Sequence, residues 1–179
     1  MVNEKVYIND LVEEVIKLLS VHIRIKQNVY LIEQSAPNLP TLILSDYQRL
    51  KQILINLLRN STKFTFKGFI MLNTFRSRLA LMKDEQLVGH QDSVTFDVYD
   101  TGIGISDANK KNIFQLFGKV MQTDSSINKE GIGLGLYITK TIAEQLGGII
   151  TFDSQFKKFT RFTCTIPIRR NFLEAQQKG

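Results

Sequence analysis

One domain of mixed α and β structure is what this sequence predicts. Three observations carry that reading. The 179 residues are 43% hydrophobic and 22% charged, a length and composition that suit a single core. Apolar residues recur with two different periods along the chain, near 3.6 in some stretches and two in others, the signatures of amphipathic helices and half-buried strands. Glycines close the most regular of these stretches, after Asp100 and after Leu146, where a backbone free of Cβ can turn.

Taken in order, Val6-Tyr7-Ile8 reads as a short strand. Asp10, with Glu13 three residues on, has the spacing of a capping box. It opens a helix whose apolar face is Leu11, Val12, Val15, Ile16, Leu19 and Ile23. Residues Asn28 to Gln34 read as a strand, and Pro37 and Pro40 mark a loop. Ser45-Asp46-Tyr47-Gln48 forms a second capping box, starting a helix that runs to Phe64. Gly68 to Phe75 is the next strand, and Arg76 to Asp92 is read as a long charged connection. Val94, Phe96 and Val98 alternate with Thr95, Asp97 and Tyr99 in a strand that ends at Asp100. Ala108 to Phe117 reads as a short helix and Val120 to Gly131 as a flexible loop. Leu134, Ile138, Ile142 and Leu146 define a last helix, ended by Gly147-Gly148. Strands Ile149 to Asp153 and Arg161 to Ile168 close the domain at residue 170, and 171–179 form a tail.

Composition excludes several function classes. Cys164 is the only cysteine, so no internal disulfide forms. It alternates with Phe162 and Ile166 and is read as a buried strand residue. His22 and His90 are the only histidines, too few for a histidine zinc site. No apolar run reaches the ~18 residues of a membrane span, and no signal-peptide pattern follows Met1. The net charge of +6 is spread without a dense basic run, which argues for a solvated surface and against nucleic-acid binding.

Three stretches carry chemistry. In Asp100-Thr101-Gly102-Ile103-Gly104-Ile105 a strand delivers a carboxylate beside a glycine turn. That pairing suits a ligand with an N–H donor such as an adenine amine, and an ordinary turn between strands fits the same residues. In the helix to Phe64, Gln52, Asn56, Asn60 and Lys63 are spaced by four, four and three residues. At about 100° per residue they form one stripe, away from Leu50, Ile53, Leu54 and Leu57. Amide oxygens suit a hard cation such as Mg²⁺ and a lysine suits a phosphate. In Gly131-Ile132-Gly133-Leu134-Gly135-Leu136 glycines open a helix, gathering bare N–H groups and the positive dipole end into an anion site. The glycine spacing of two and two matches neither a P-loop nor a dinucleotide fingerprint, and the D-F-G and H-R-D signatures of protein kinases are absent.

Together these stretches resemble the catalytic and ATP-binding domain of sensor histidine kinases, in the superfamily shared with DNA gyrase, Hsp90 and MutL. Residues Gln52 to Thr65 are similar to that family's N box, Asp100 to Ile105 to its G1 box, Ile113-Phe114-Gln115-Leu116-Phe117 to its F box and Gly131 to Leu136 to its G2 box. The resemblance implies a two-layer sandwich, a mixed β-sheet on α-helices, of the Bergerat type. It implies that Asn60 binds Mg²⁺ with Asn56 in support, and that Lys63 meets a phosphate. Phe64 would pack on adenine, with Asp100 accepting from its amine. Gly102 and Gly104 would make room for the ring, and Ile105 and Phe117 belong to the boxes that line it. Gly131, Ile132, Gly133, Leu134, Gly135 and Leu136 would surround the phosphates. Residues 106–130 would form a lid, in which Lys119 stands where relatives often carry Arg near the γ-phosphate. Gln52, Ile132 and Arg161 depart from commoner family residues, most notably Ile132 at a frequent Thr.

ATPase relatives carry Glu four residues before the metal-binding Asn. Here that position is Asn56, and an amide cannot take a proton from water. The resemblance therefore implies transfer of the γ-phosphoryl group to a histidine on a separate dimerisation domain outside this chain. His22 and His90 are read as structural and solvated respectively. A receiver domain would act downstream, the isolated domain would be monomeric, and the location would be cytoplasmic within a longer kinase, membrane-anchored or hybrid. Two alternatives are an ATP-binding regulatory module without phosphotransfer and a serine-phosphorylating relative of mitochondrial type.

Overall fold

The computed structural model describes residues 2–24, 26–115 and 134–169. Within them the elements run β1 (Glu4–Tyr7), α1 (Ile8–Arg24), β2 (Val29–Ser35), β3 (Leu42–Ser45), α2 (Tyr47–Phe64), β4 (Gly68–Lys83), β5 (Gln86–Asp100), α3 (Asp107–Lys110), α4 (Gly135–Gln145), β6 (Ile149–Gln155) and β7 (Phe159–Pro167). Five strands form one sheet in the order β2-β4-β5-β7-β6. β2 and β4 are parallel and the other pairs antiparallel, so the sheet is mixed. β1 and β3 make a separate antiparallel pair.

Helices cover one face of this sheet. Leu11, Val15 and Leu19 of α1 and Leu50, Ile53, Leu54 and Leu57 of α2 are buried, as the helical spacing demands. They share one core with Ile70 and Leu72 of β4, Val94, Phe96 and Val98 of β5 and Phe162, Cys164 and Ile166 of β7. The alternation within each strand puts these side chains on one face. Cys164 is fully buried in that layer. On the α1–α2 contact, Glu14 accepts from the Tyr47 hydroxyl and pairs with Lys51 at 2.7 Å. No helix among the described residues is long and apolar enough to cross a membrane.

Several boundaries differ from the sequence reading, each for a local reason. α1 begins at Ile8, whose N–H is taken by the Thr41 carbonyl, so Asp10 lies in the first turn rather than at the cap. The cap of α2 is Asp46, not Ser45: its carboxylate accepts from Arg49 N–H at 3.1 Å. β3 was hidden behind Pro37 and Pro40, being four residues long and paired only with β1. The helix expected from Ala108 to Phe117 shortens to α3, because turn residues through Gln115 instead swing Ile113 and Phe114 inward. Phe114 packs edge-on against Phe152 and Phe162, centroids 5.7 and 6.2 Å away.

The largest difference concerns Arg76 to Asp92. It is no loop but the arm of a β4–β5 hairpin paired out to Lys83 and Gln86. Asp84 and Glu85 both take positive φ, 48° and 63°, the backbone of a two-residue type I′ turn. Neither is glycine, which is why the turn was not read from sequence. His90 is therefore an exposed strand residue. The Val120–Gly131 loop, Phe117, Lys119, Gly131 to Gly133, the His22 side chain and the tail lie outside the described residues.

Candidate functional site

The site is built around Asp100, the last residue of β5. It continues the buried face of Val94, Phe96 and Val98 and is only 3% exposed, so period-two geometry drives a carboxylate into the layer between sheet and helices. Three neutral donors meet it there. Ser61 Oγ of α2 donates to Oδ2 at 2.9 Å. Thr65 Oγ1 donates to Oδ1 at 3.3 Å, and so does Gly102 N–H at 3.0 Å. Among the described residues no lysine or arginine pairs with it. Burial pushes its pKa above the ordinary carboxylate value, against the opposing pull of the Ser61, Gly102 and Thr65 hydrogen bonds. A carboxylate offers about four acceptor positions. With one donor on Oδ2, that oxygen keeps capacity for a ligand N–H.

The glycine loop after Asp100 is hydrogen-bonded to β4, to the end of α2 and to the β6–β7 segment. Thr101 N–H bonds to Phe69 carbonyl at 3.1 Å, and Ile103 N–H bonds to the Phe64 carbonyl at the end of α2, also at 3.1 Å. Lys157 N–H reaches the Ile103 carbonyl at 2.6 Å, and Ile105 N–H donates to Ser154 Oγ at 2.8 Å. A side chain at Gly102 would meet the Phe64 carbonyl and, at 2.7 Å, the Asp100 carboxylate. Gly104 has φ +65°, and a Cβ there would overlap the Gln155 carbonyl. Both positions thus demand glycine for internal packing of the loop against α2 and the β6–β7 turn.

α2 supplies the facing wall. Asn56, Asn60 and Lys63 are half-buried along it. Asn56 Nδ2 donates to the Gly135 carbonyl at 3.4 Å and to Thr139 Oγ1 at 3.3 Å. It therefore ties the amide stripe of α2 to the first turn of α4. Leu134 caps that helix and Leu136 lies in its first turn. Lys63 Nζ lies 5.3 Å from the Phe64 ring centroid, within cation–π range. The structure thus joins Asp100 and Gly102 to the C-terminal end of α2, Gly104 to the β6–β7 turn, and Asn56 to Gly135. A groove of about 790 Å³ lies elsewhere, on the open face of the sheet beside Asn73, Asp97, Arg161 and Thr163, and contains none of these groups. Among the described residues no cluster of three or more His, Cys, Asp and Glu could hold a metal.

Ser61, Thr65 and Thr139 join the site without a role that the sequence predicts. Ser61 was detectable: it falls four residues after Leu57, on the apolar face of α2, and is 2% exposed. A hydroxyl in such a position needs a partner, and that partner is Asp100.

Comparison with known proteins bears on family and fold. The sequence profile described as "Histidine kinase-, DNA gyrase B-, and HSP90-like ATPase" matches residues 45–170. The chain is 36% identical over 161 residues to hybrid signal transduction histidine kinase B of Dictyostelium discoideum, covering 86% of this chain and 8% of that protein. It is 36% identical over 173 residues to sensor histidine kinase GacS of Pseudomonas protegens, covering 94% of this chain and 17% of that protein. The chain therefore spans only a small part of these curated relatives. Among solved structures, full-length ShkA in complex with AMPPNP superposes with a TM-score of 0.72 at 28% identity, over 94% of this chain and 32% of that one. The nucleotide-free catalytic domain of histidine kinase ThkA gives a TM-score of 0.69 at 26% identity, over 94% and 99% of the two chains. The profile covers more than half of the chain, and the chain belongs to the histidine kinase-, DNA gyrase B- and HSP90-like ATPase family.

Proposed function

We propose that this chain is the ATP-binding catalytic part of a protein histidine kinase, serving a histidine on a dimerisation domain outside it. The observation that carries the reading is Asp100. A carboxylate this deeply buried, met only by neutral donors, is costly to keep. Its spare Oδ2 capacity suits the exocyclic amine of adenine. Phe64 offers a ring at the same end of α2. Asn60 offers a neutral oxygen to Mg²⁺ and Lys63 an ammonium to phosphate. The first turn of α4, with Gly135, would face the phosphates together with Gly131, Ile132 and Gly133, and Lys119 would reach the γ-phosphate. Mg²⁺ bound with the nucleotide would neutralise phosphate charge. The residues of the site bind and orient, and Asn56 is no base for water: it stands where hydrolytic relatives carry Glu, and its amide is engaged with Gly135 and Thr139. Transfer to a histidine, and onward to a receiver domain, follows from that difference and from the histidine-kinase relatives.

Titration calorimetry with ATP, with and without Mg²⁺, on the wild type, Asn60→Asp and Asp100→Asn tests the first half. Metal-dependent binding that collapses in Asp100→Asn is expected. Binding unaffected by that substitution sinks the assignment of the adenine pocket. A separately made histidine-bearing dimerisation domain, added with Mg–ATP, should acquire acid-labile phosphate. If it stays unlabelled while ATP binds, the chain is a nucleotide-binding regulatory module.

A further inference from the structure

The C-terminal end of α2 carries Lys63 and Phe64 and supplies the Thr65 hydroxyl to Asp100. The last carbonyls of a helix have no partner within it. Two of them here are taken by one side chain from another part of the fold. Lys26, in the link between α1 and β2, donates its ammonium to the carbonyls of Thr62 and Thr65, the latter at 3.0 Å. Its Nζ also lies 5.3 Å from the Phe66 ring centroid. A third carbonyl, that of Phe64, takes the Ile103 N–H of the glycine loop. Lys26 itself is fixed by short-range backbone bonds, its N–H to the Ile23 carbonyl at 2.8 Å and its carbonyl from Val29 N–H at 3.2 Å. Lys26 and the glycine loop thus grip the same helix end.

Burial holds the Lys26 ammonium below the usual lysine range. The half-buried ammonium is retained there by the carbonyls it serves and by the negative end of the helix dipole. A neutral side chain would leave those carbonyls half-satisfied and the last turn of α2 free to shift. Thr65 Oγ1 would then lose its aim at Asp100, and the Phe64 carbonyl its aim at Ile103.

We propose that Lys26 is a positioning residue for nucleotide binding: from outside the site it clamps the last turn of α2, and so sets the places of Asp100 and the Gly102 loop. This rests on the ATP-binding reading above, yet part of its test does not. In hydrogen-exchange measurements without nucleotide, Lys26→Met should accelerate exchange at Gly102 and Ile103, and Lys26→Arg should restore protection. In ATP titrations well below the melting temperature, Lys26→Met should raise Kd about tenfold, the size expected when hydrogen bonds to a charged group are lost. Lys26→Arg should return most of that affinity. Lys51→Met, which removes an ion pair elsewhere on α2, should leave Kd unchanged. Should Lys26→Met not fold, Lys26→Gln, which keeps a donor without charge, should show the same two effects in smaller measure. Unchanged Gly102 and Ile103 exchange, or a lowered melting temperature with wild-type Kd, overturns the proposal and makes Lys26 merely structural. A wild type that binds no ATP while the exchange effect is present sinks the nucleotide reading and, with it, the claim that the clamp serves binding.

Discussion

At Asp100 the demands of stability and of binding oppose each other. Asn in its place keeps an oxygen for Gly102 and Thr65 but discards the buried charge. Asp100→Asn is therefore expected to raise the melting temperature at pH 7 by about 2–4 °C while removing ATP binding. The sign with pH follows from linkage. The folded chain holds the Asp100 proton to higher pH than the unfolded chain does, because burial raises its value. The associated stability is complete below the ordinary carboxylate value, and is lost as pH rises through the raised folded value. Melting curves of wild type and variant should thus converge near pH 3 and separate towards neutrality, and a constant gap would contradict the assignment. Much of this was legible: the alternation Val94, Phe96, Val98 points the next carboxylate to the same face. The identity of its donors was not, since Ser61 and Thr65 come from a helix 35–39 residues earlier.

Among the elements, the β4–β5 arm stands apart. It extends beyond the last β5–β7 pair, Ser93 with Pro167, and exposes Leu81, Met82, Leu87 and Val88. It leaves the sheet at the end of β5 opposite Asp100. Replacing residues 79–91 by Asn-Gly, so that Arg78 and Asp92 flank a new turn, is expected to leave ATP affinity within about twofold of wild type. Calorimetry decides it, and a large loss would show that the arm supports the site. Within the arm, Glu85 occupies φ 63°, which costs a non-glycine residue about 1 kcal/mol. Glu85→Gly should slow amide exchange near Leu81 and Gly89 about fivefold, because an isolated two-stranded arm opens locally. At the other extreme, α4 ends as its sequence announces. Gly147 takes φ +81°, and Gly147 and Gly148 N–H bond back to Glu144 and Ala143, the pattern of a Schellman cap.

For the whole molecule, the single thiol reports on folding. Cys164 is fully buried and its pKa is pushed up to about 12 by desolvation, so only opened chains react at neutral pH. Thiol labelling should follow global unfolding. Mg–ATP at one hundred times its Kd should slow that labelling about a hundredfold, measured with a chromogenic disulfide. Labelling at the free-thiol rate would mean that β7 is open in the native state. Two halves of the layer meet at the site, α2 with α4 through Asn56 and α2 with β5 through Ser61, so ligand binding and core closure act on the same contacts.

By itself the sequence determined the periodic elements, the buried strand faces, the polar stripe of α2 and the glycine stretches, because each follows from local spacing and from Cβ sterics. The family boxes it displays imply one shared site for the candidate residues. Tertiary structure alone decided the partners. It set Ser61, Thr65 and Gly102 on Asp100, turned Asn56 towards Gly135, made an arm of a charged stretch and brought Lys26 to the end of α2. These contacts join residues that are mostly tens of positions apart, and no local period or propensity encodes which distant donor will satisfy a buried acceptor. Only the closing of the two layers, which removes water from those groups, makes that choice.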